Sequence, residues 1–157
     1  MKSTRLIGQE ILDTVTREAI TTPRLRKNLN FHQYDESLCH RLVNAVEPDT
    51  YIPPHRHLDP EKDETIIPLR GRLGVVFFDE SGHVVQSAVL SPGGDAVGVN
   101  IPHGEFHTVV SLESGTVFFE SKAGPYRPLT DAERAPWAPG EGSNESAAYL
   151  TELRKIW

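Results

Sequence analysis

The chain has 157 residues and a mass of 17.5 kDa, the size of one domain and enough to bury roughly 68–70% of its unfolded surface without disulfide staples. Hydrophobic residues make up 38% and charged residues 24%, with 12 Gly and 12 Pro, a globular composition rich in turn formers that excludes a disordered chain, a coiled coil or a solenoid. The 22 acidic residues outweigh 16 basic ones for a net charge of −6, so nucleic acid is not an expected partner. Apolar runs such as 75–78 are only strand length, so no membrane span is expected. Cys39 stands alone and admits no intrachain disulfide, and a polar amphipathic segment follows Lys2 to Arg5 where a signal core would be apolar. A cytoplasmic setting is the expectation.

Taken in chain order, Ile7, Ile11, Leu12, Val15 and Ala19 recur at helical spacing and predict an amphipathic helix that Thr21, Thr22 and Pro23 end. Segments 24–31 and 38–47 read as extended. So does 51–57, because Pro53 and Pro54 exclude a helix there. Strands are predicted at 65–69, 73–78, 83–90, 97–101, 106–112 and 116–122, separated by turns around Gly71, Gly82, Gly93, Gly104 and Gly115. A Pro-rich irregular tail over 124–142 leads into a closing helix over 147–156. Many short strands with regular Gly/Pro punctuation predict an all-β sandwich or barrel. No repeat or linker divides it, so the expectation is a single domain over 1–157: a helical extension at about 7–22, a barrel at about 24–123 and a tail over 124–157.

Of seven histidines, His55 and His57 carry the clearest chemistry. Their i, i+2 spacing puts both on one face of an extended segment, which makes half of a metal site, with each nitrogen about 2.0–2.1 Å from the ion if it is zinc. The acidic stretch 59–64 can supply a carboxylate. His107 follows a Pro-x-Gly turn about fifty residues later, where a neighbouring strand would bring it to the same ion.

Two motifs carry a family resemblance. His55-x-His57, followed by an acid, six residues and Gly71, resembles the first cupin motif, and Pro102-x-Gly104-x-x-His107 resembles the second. The resemblance implies a mostly β fold, a single cupin jelly-roll barrel (double-stranded β-helix), here with an N-terminal helix and a short C-terminal helix. It also implies one divalent transition metal per chain, held by His55, His57, an acid and His107. Glu61 fits the usual His-to-acid spacing and Glu64 the usual acid-to-glycine spacing. Glu64 is preferred, because it leads directly into a strand, and a rigid strand fixes a ligand better than a charged loop. The stretch 51–73, with PRLRKNLNFHQ at 23–33 and WAPGEG at 137–142, is similar to the WbuC-type cupin-fold metalloproteins, often encoded among surface-polysaccharide genes. That implies a sugar-like ligand from surface-polysaccharide (O-antigen) biosynthesis. Asp49 stands where the family's first motif opens on glycine, and Ser111 where its second carries Asn.

Further candidates surround these ligands. Arg24, Arg26, Asn28, Asn30 and His32 alternate with Leu25, Lys27, Leu29 and Phe31, a polar row suited to an anionic or hydroxyl-rich ligand, or else a charge-guarded strand edge. Glu120 and Lys122 share a strand face as a proton-transfer pair or a solvent-facing ion pair. Arg56 and Arg70 are cations expected near the mouth. Tyr51 either packs beside the metal or donates a hydrogen bond to a ligand. His40 and His83, like His32, are expected at the surface or on an edge strand, His103 in a loop, and Cys39 as a small buried side chain. His and carboxylate donors suit Zn, Fe, Mn, Ni or Co. Around zinc the four would close a tetrahedral shell, whereas around Fe or Mn two octahedral positions stay open. The expected function is therefore a metal-dependent enzyme acting on a small polar metabolite, or alternatively a non-catalytic metal-containing binding or structural module. A homodimer is expected, because sheet edges need covering and the N-terminal segment is long enough to reach a neighbour's edge.

Overall fold

Side chains alternate inward and outward along eight strands, and in the computed structural model, which describes residues 4–157, that alternation builds two facing sheets. The strands are β1 (Arg26–Asn30), β2 (Cys39–Val46), β3 (Glu64–Arg70), β4 (Leu73–Phe78), β5 (Val84–Leu90), β6 (Val99–Ile101), β7 (Phe106–Ser111) and β8 (Thr116–Ala123). One sheet has the order β1-β2-β8-β3-β6 and the other β5-β4-β7, with every pairing antiparallel. This is the mostly β cupin jelly roll that the motif pattern implies.

The outward and inward faces bury separate cores. Between the sheets lie Val46, Ile66, Leu73, Val75, Phe77, Leu90, Ile101, Val109 and Phe118. On the outside of the five-stranded sheet, helix α1 (Gln9–Thr21) packs Leu12, Val15 and Ala19 against Val43, Ala45 and Val117. The helix thus lies on an outer face of its own sheet. On the outside of the three-stranded sheet, Val76, Phe78, Phe106 and Val110 meet Tyr51, Ala135 and the residues Leu150 and Leu153 of helix α2 (Ser146–Arg154). The tail therefore covers a sheet face that would otherwise expose a large apolar patch.

Three local departures from the sequence reading have physical reasons. Strand β1 starts at Arg26 because Leu25 takes a left-handed φ of 53°, which no strand accommodates. Residues 51–57 are extended but pair only through two isolated bridges at His55, one to His107 and one to Arg134. The tail contains a short 3-10 turn at Asp131–Glu133, closed by a reciprocal capping box between Thr130 and Glu133. Gly71 makes the β3–β4 turn at φ +79°, and a Cβ there would lie 2.4 Å from Thr116 Oγ1, so only glycine fits.

Candidate metal centre

Backbone pairing brings the first two donors together. His55 N–H donates to His107 O at 3.0 Å, and His107 N–H returns a bond to His55 O at 2.9 Å, stitching the extended 51–57 segment onto β7. His107 pairs with Phe77 of β4 and, like Val109 two residues on, faces the space between the sheets. His57, two residues beyond His55, stays on the same side, with ring centroids 5.3 Å from His55 and 6.0 Å from His107. Glu64 opens β3 in the opposite sheet, opposite Lys122 of β8. One ligand atom from each of His55, His57, Glu64 and His107 falls within 4.8 Å of all the others. Glu61 is exposed in the preceding loop and lies outside the cluster, so Glu64 is the acid that the fold brings to the three imidazoles.

Hydrogen bonds orient the imidazoles as ligands. His55 Nδ1 lies 3.0 Å from Pro53 O and His107 Nδ1 lies 2.9 Å from Glu105 O. A carbonyl only accepts, so each Nδ1 carries the proton and each Nε2 keeps its lone pair. This is the arrangement by which backbone carbonyls orient metal-binding histidines. His107 Nε2 is buried with no hydrogen-bond partner, and its 3.7 Å separation from Glu64 Oε2 exceeds a hydrogen bond. Leaving such a nitrogen unsatisfied costs about 1–3 kcal/mol, a deficit that a cation at the centre of the cluster removes. Burial, the largest cause, pushes His55 down to about 3, so it is neutral near pH 7, as a ligand must be. Burial alone would raise Glu64, but the Lys122 ammonium and the imidazoles of His107 and His57 outweigh it and hold the carboxyl well below its usual range. Three nitrogens and one carboxylate oxygen fit a divalent transition metal.

The barrel interior adds a second buried polar group beside the donors. Lys122 Nζ lies 2.5 Å from Glu120 Oε1 and 3.8 Å from Glu64 Oε2, and Asn44 Nδ2 donates to Glu120 Oε2 at 2.9 Å. Burial and the Glu64 charge raise Glu120 above the ordinary carboxylate range. Burial opposes the Lys122 ammonium, but the two carboxylates keep it charged. The pair therefore faces the interior.

Three cavities meet at His55. An interior one of about 200 Å³ reaches Arg26, Asn44, Glu120 and Lys122. One mouth of about 240 Å³ is lined by His40, Lys62, Lys122 and Leu129. A second of about 360 Å³ runs between Arg24, Arg26, Arg134 and Glu141. The metal cluster thus has open space on more than one side.

The remaining candidates scatter, and several expectations need correction. Of the polar row, only Arg26 reaches the interior and only Arg24 joins it at the second mouth. Asn28 Nδ2 donates to Asn30 Oδ1 at 2.8 Å, and both residues are exposed at the sheet edge. His32 lies in the bend beyond β1, buried and stacked on His40 with centroids 3.9 Å apart, so neither is a surface residue. Strand alternation turns Arg56 away from its flanking histidines. Its guanidinium lies over Phe106 and pairs with Glu80 at 2.6 Å. Arg70 anchors α1 through Asp13, Thr16 and Leu12 O, away from the mouth. Tyr51 packs into the outer core, and its hydroxyl donates to Pro139 O at 2.8 Å, so it faces the tail and not the metal cluster. Cys39 is exposed. His103 and His83 sit in loops, beside Asp63 and Asp79 respectively. Sequence reasoning missed Asn44, Lys62, Arg134 and Glu141. Asn44 was legible from its inward parity with Val46, and Glu141 lies inside the WAPGEG string at 137–142, which the resemblance marked without giving it a role, whereas nothing marked Arg134.

Residues 7–90 match the family described as "Domain of unknown function (DUF6016)", more than half of the chain. The chain belongs to the DUF6016 family. The match includes His55, His57 and Glu64 and stops before His107. No curated protein matches this DUF6016 chain. Among solved structures it is similar to KdgF from Halomonas sp., with 17% identity over 68% of this chain and 85% of that one and a TM-score of 0.52. It is similar to the conserved SPY1581 protein of unknown function from Streptococcus pyogenes, with 11% identity over 81% and 93% of the two chains and a TM-score of 0.54. The 11S globulin procruciferin from Brassica napus matches at 14% identity over 66% of this chain and 26% of its own, with a TM-score of 0.52. At these identities the likeness is one of fold.

Proposed function

We propose that this DUF6016 protein is a mononuclear metalloenzyme that acts on a small polar, sugar-like metabolite. His55, His57, Glu64 and His107 are its ligands. The observation that carries the reading is the buried, unpartnered Nε2 of His107, aimed among three other donors at a point where cavities converge. A bound divalent ion supplies Lewis-acid polarisation of a substrate oxygen. Around it, Asn44 and Arg26 orient the substrate in the interior cavity, and Lys122 and Glu120 hold a proton between Nζ and Oε1, 2.5 Å apart. Enclosure between the sheets excludes bulk water, which strengthens each of these interactions. The open space beside His55 favours this over the alternative, a closed four-ligand structural ion.

Turnover tests the reading. Metal-loaded protein, offered a panel of sugar nucleotides and keto acids, is expected to consume at least one of them, and His107→Ala is expected to abolish that turnover. Equal turnover by the variant, or consumption of none alongside a strong loss of thermal stability on chelation, would move the protein to the non-catalytic class.

A further inference from the structure

The second mouth of the centre is lined by the protein's own carboxylate. Glu141, in the irregular tail, is gripped by two arginines, Arg24 just before β1 and Arg26 at its start. Arg24 Nε and Nη2 donate to its two oxygens at 2.8 and 3.2 Å, and Arg26 Nη2 lies 2.8 Å from Oε1. Arg26 is largely buried, with 16% of its side chain exposed, and is held by Thr50 Oγ1 and Tyr51 O. Its fork is therefore set in place before any ligand arrives. Leu25, between the two arginines, takes the left-handed φ of 53°, a conformation that costs a non-glycine residue about 1–2 kcal/mol. Strain kept at such a point commonly marks a ligand clamp. Arg134 lines the same cavity, as does His55, and Arg26 and His55 also line the interior chamber.

From this we propose that Arg24, Arg26 and Arg134 form a carboxylate subsite of the metal centre, and that Glu141 occupies it in the resting protein as a tethered competitor. The proposal deepens the reading above by giving the metabolite a carboxylate end, bound here while its other end reaches the metal ligands. The geometry points to a carboxylate because Arg24 already binds one in fork-to-fork fashion, the arrangement for which the guanidinium is suited, and Arg26 adds a further contact to the same group. Glu141 is exposed and sits on a Pro/Gly-rich segment, so an arriving anion can displace it without disturbing either sheet. Displacement would free the tail around 140–142, beyond the Tyr51 bond to Pro139 O, and widen the mouth.

The subsite itself needs no metal, so titrations of malonate, inorganic phosphate and uncharged erythritol, run on metal-loaded and on chelated protein, separate this proposal from the metal reading. Glu141→Gln removes the competing charge at constant size and is expected to tighten malonate binding about ten-fold, the equivalent of one charge-assisted bond. Adding Arg24→Gln is expected to cancel the gain, and raised salt to weaken it. Erythritol should bind all forms equally. Unchanged malonate affinity in Glu141→Gln, a gain that survives Arg24→Gln, or tighter binding of phosphate than of malonate would each overturn the proposal. Failure of the protein to take up supplied metal, with the malonate pattern intact, would overturn the metal reading alone.

Discussion

Lys122 shows how charge is arranged inside this barrel. Its ammonium sits between Glu120 and Glu64 with 22% of the side chain exposed, so it neutralises carboxylates that would otherwise repel one another in a low-dielectric interior. Removing one member of such a set leaves uncompensated charge, a larger loss than the set's net contribution. Lys122→Met is therefore expected to destabilise the metal-free protein by about 3 kcal/mol in urea unfolding. A loss below about 1 kcal/mol would mean that the carboxylates are screened by solvent. The ligand residues were the most legible part of the sequence, because His-x-His on extended chain and Pro-x-Gly before a strand constrain the backbone locally. The choice between Glu61 and Glu64 followed from rigidity, and the fold places Glu64 in the cluster and Glu61 in solvent. Arg56 and Arg70 were expected near the mouth, and Tyr51 was expected to pack or to donate to a ligand; Tyr51 does pack, but in the outer core and not beside the metal cluster. Each of these long side chains is claimed by a partner distant in sequence, namely Glu80, Asp13 and Pro139 O. Spacing along the chain carries no record of such partners.

At the scale of elements, strand alternation does most of the positioning. The inward parity of β8 places Phe118, Glu120 and Lys122 in the chamber, while Val117 and Phe119 face α1. Both sets were readable from period two. The polar row from Arg24 to His32 was read with the same rule and failed, because β1 spans only Arg26–Asn30, so Arg24 lies before the strand and His32 beyond it. Helix α1 makes a separate prediction. Leu12 is 4% exposed and packs on the outer face of the five-stranded sheet, with the metal cluster on the other side. Leu12→Ala is expected to cost about 3 kcal/mol of unfolding free energy with unchanged metal affinity, as read by urea denaturation and by competition with a chelating dye. A parallel fall in metal affinity would show that the helix and the centre are coupled through the sheet.

For the molecule as a whole, the two sheets divide the work of building the centre. The three-stranded side, through β7 and the extended segment paired with it, supplies the imidazoles, and the five-stranded side supplies Glu64, Glu120, Lys122 and Arg26. A correctly closed barrel is thus a precondition for the site, and an ion held by these four residues would stabilise that closure. The tail, which the sequence marked as Pro-rich and irregular up to a closing helix, completes the arrangement by covering the outer sheet face and bringing Leu129, Arg134 and Glu141 to the mouths. Its contribution depends on tertiary contact and leaves no periodic trace. The measurement that bears most directly on this account is metal content by elemental analysis, paired with X-ray absorption of the bound ion, on protein purified without added metal and on His107→Ala prepared alongside. The account predicts about one divalent transition metal per wild-type chain, with nitrogen and oxygen donors at about 2.0–2.2 Å, and little or none in the variant. Wild-type protein that takes up no metal even when it is supplied, or equal occupancy in His107→Ala, would contradict it.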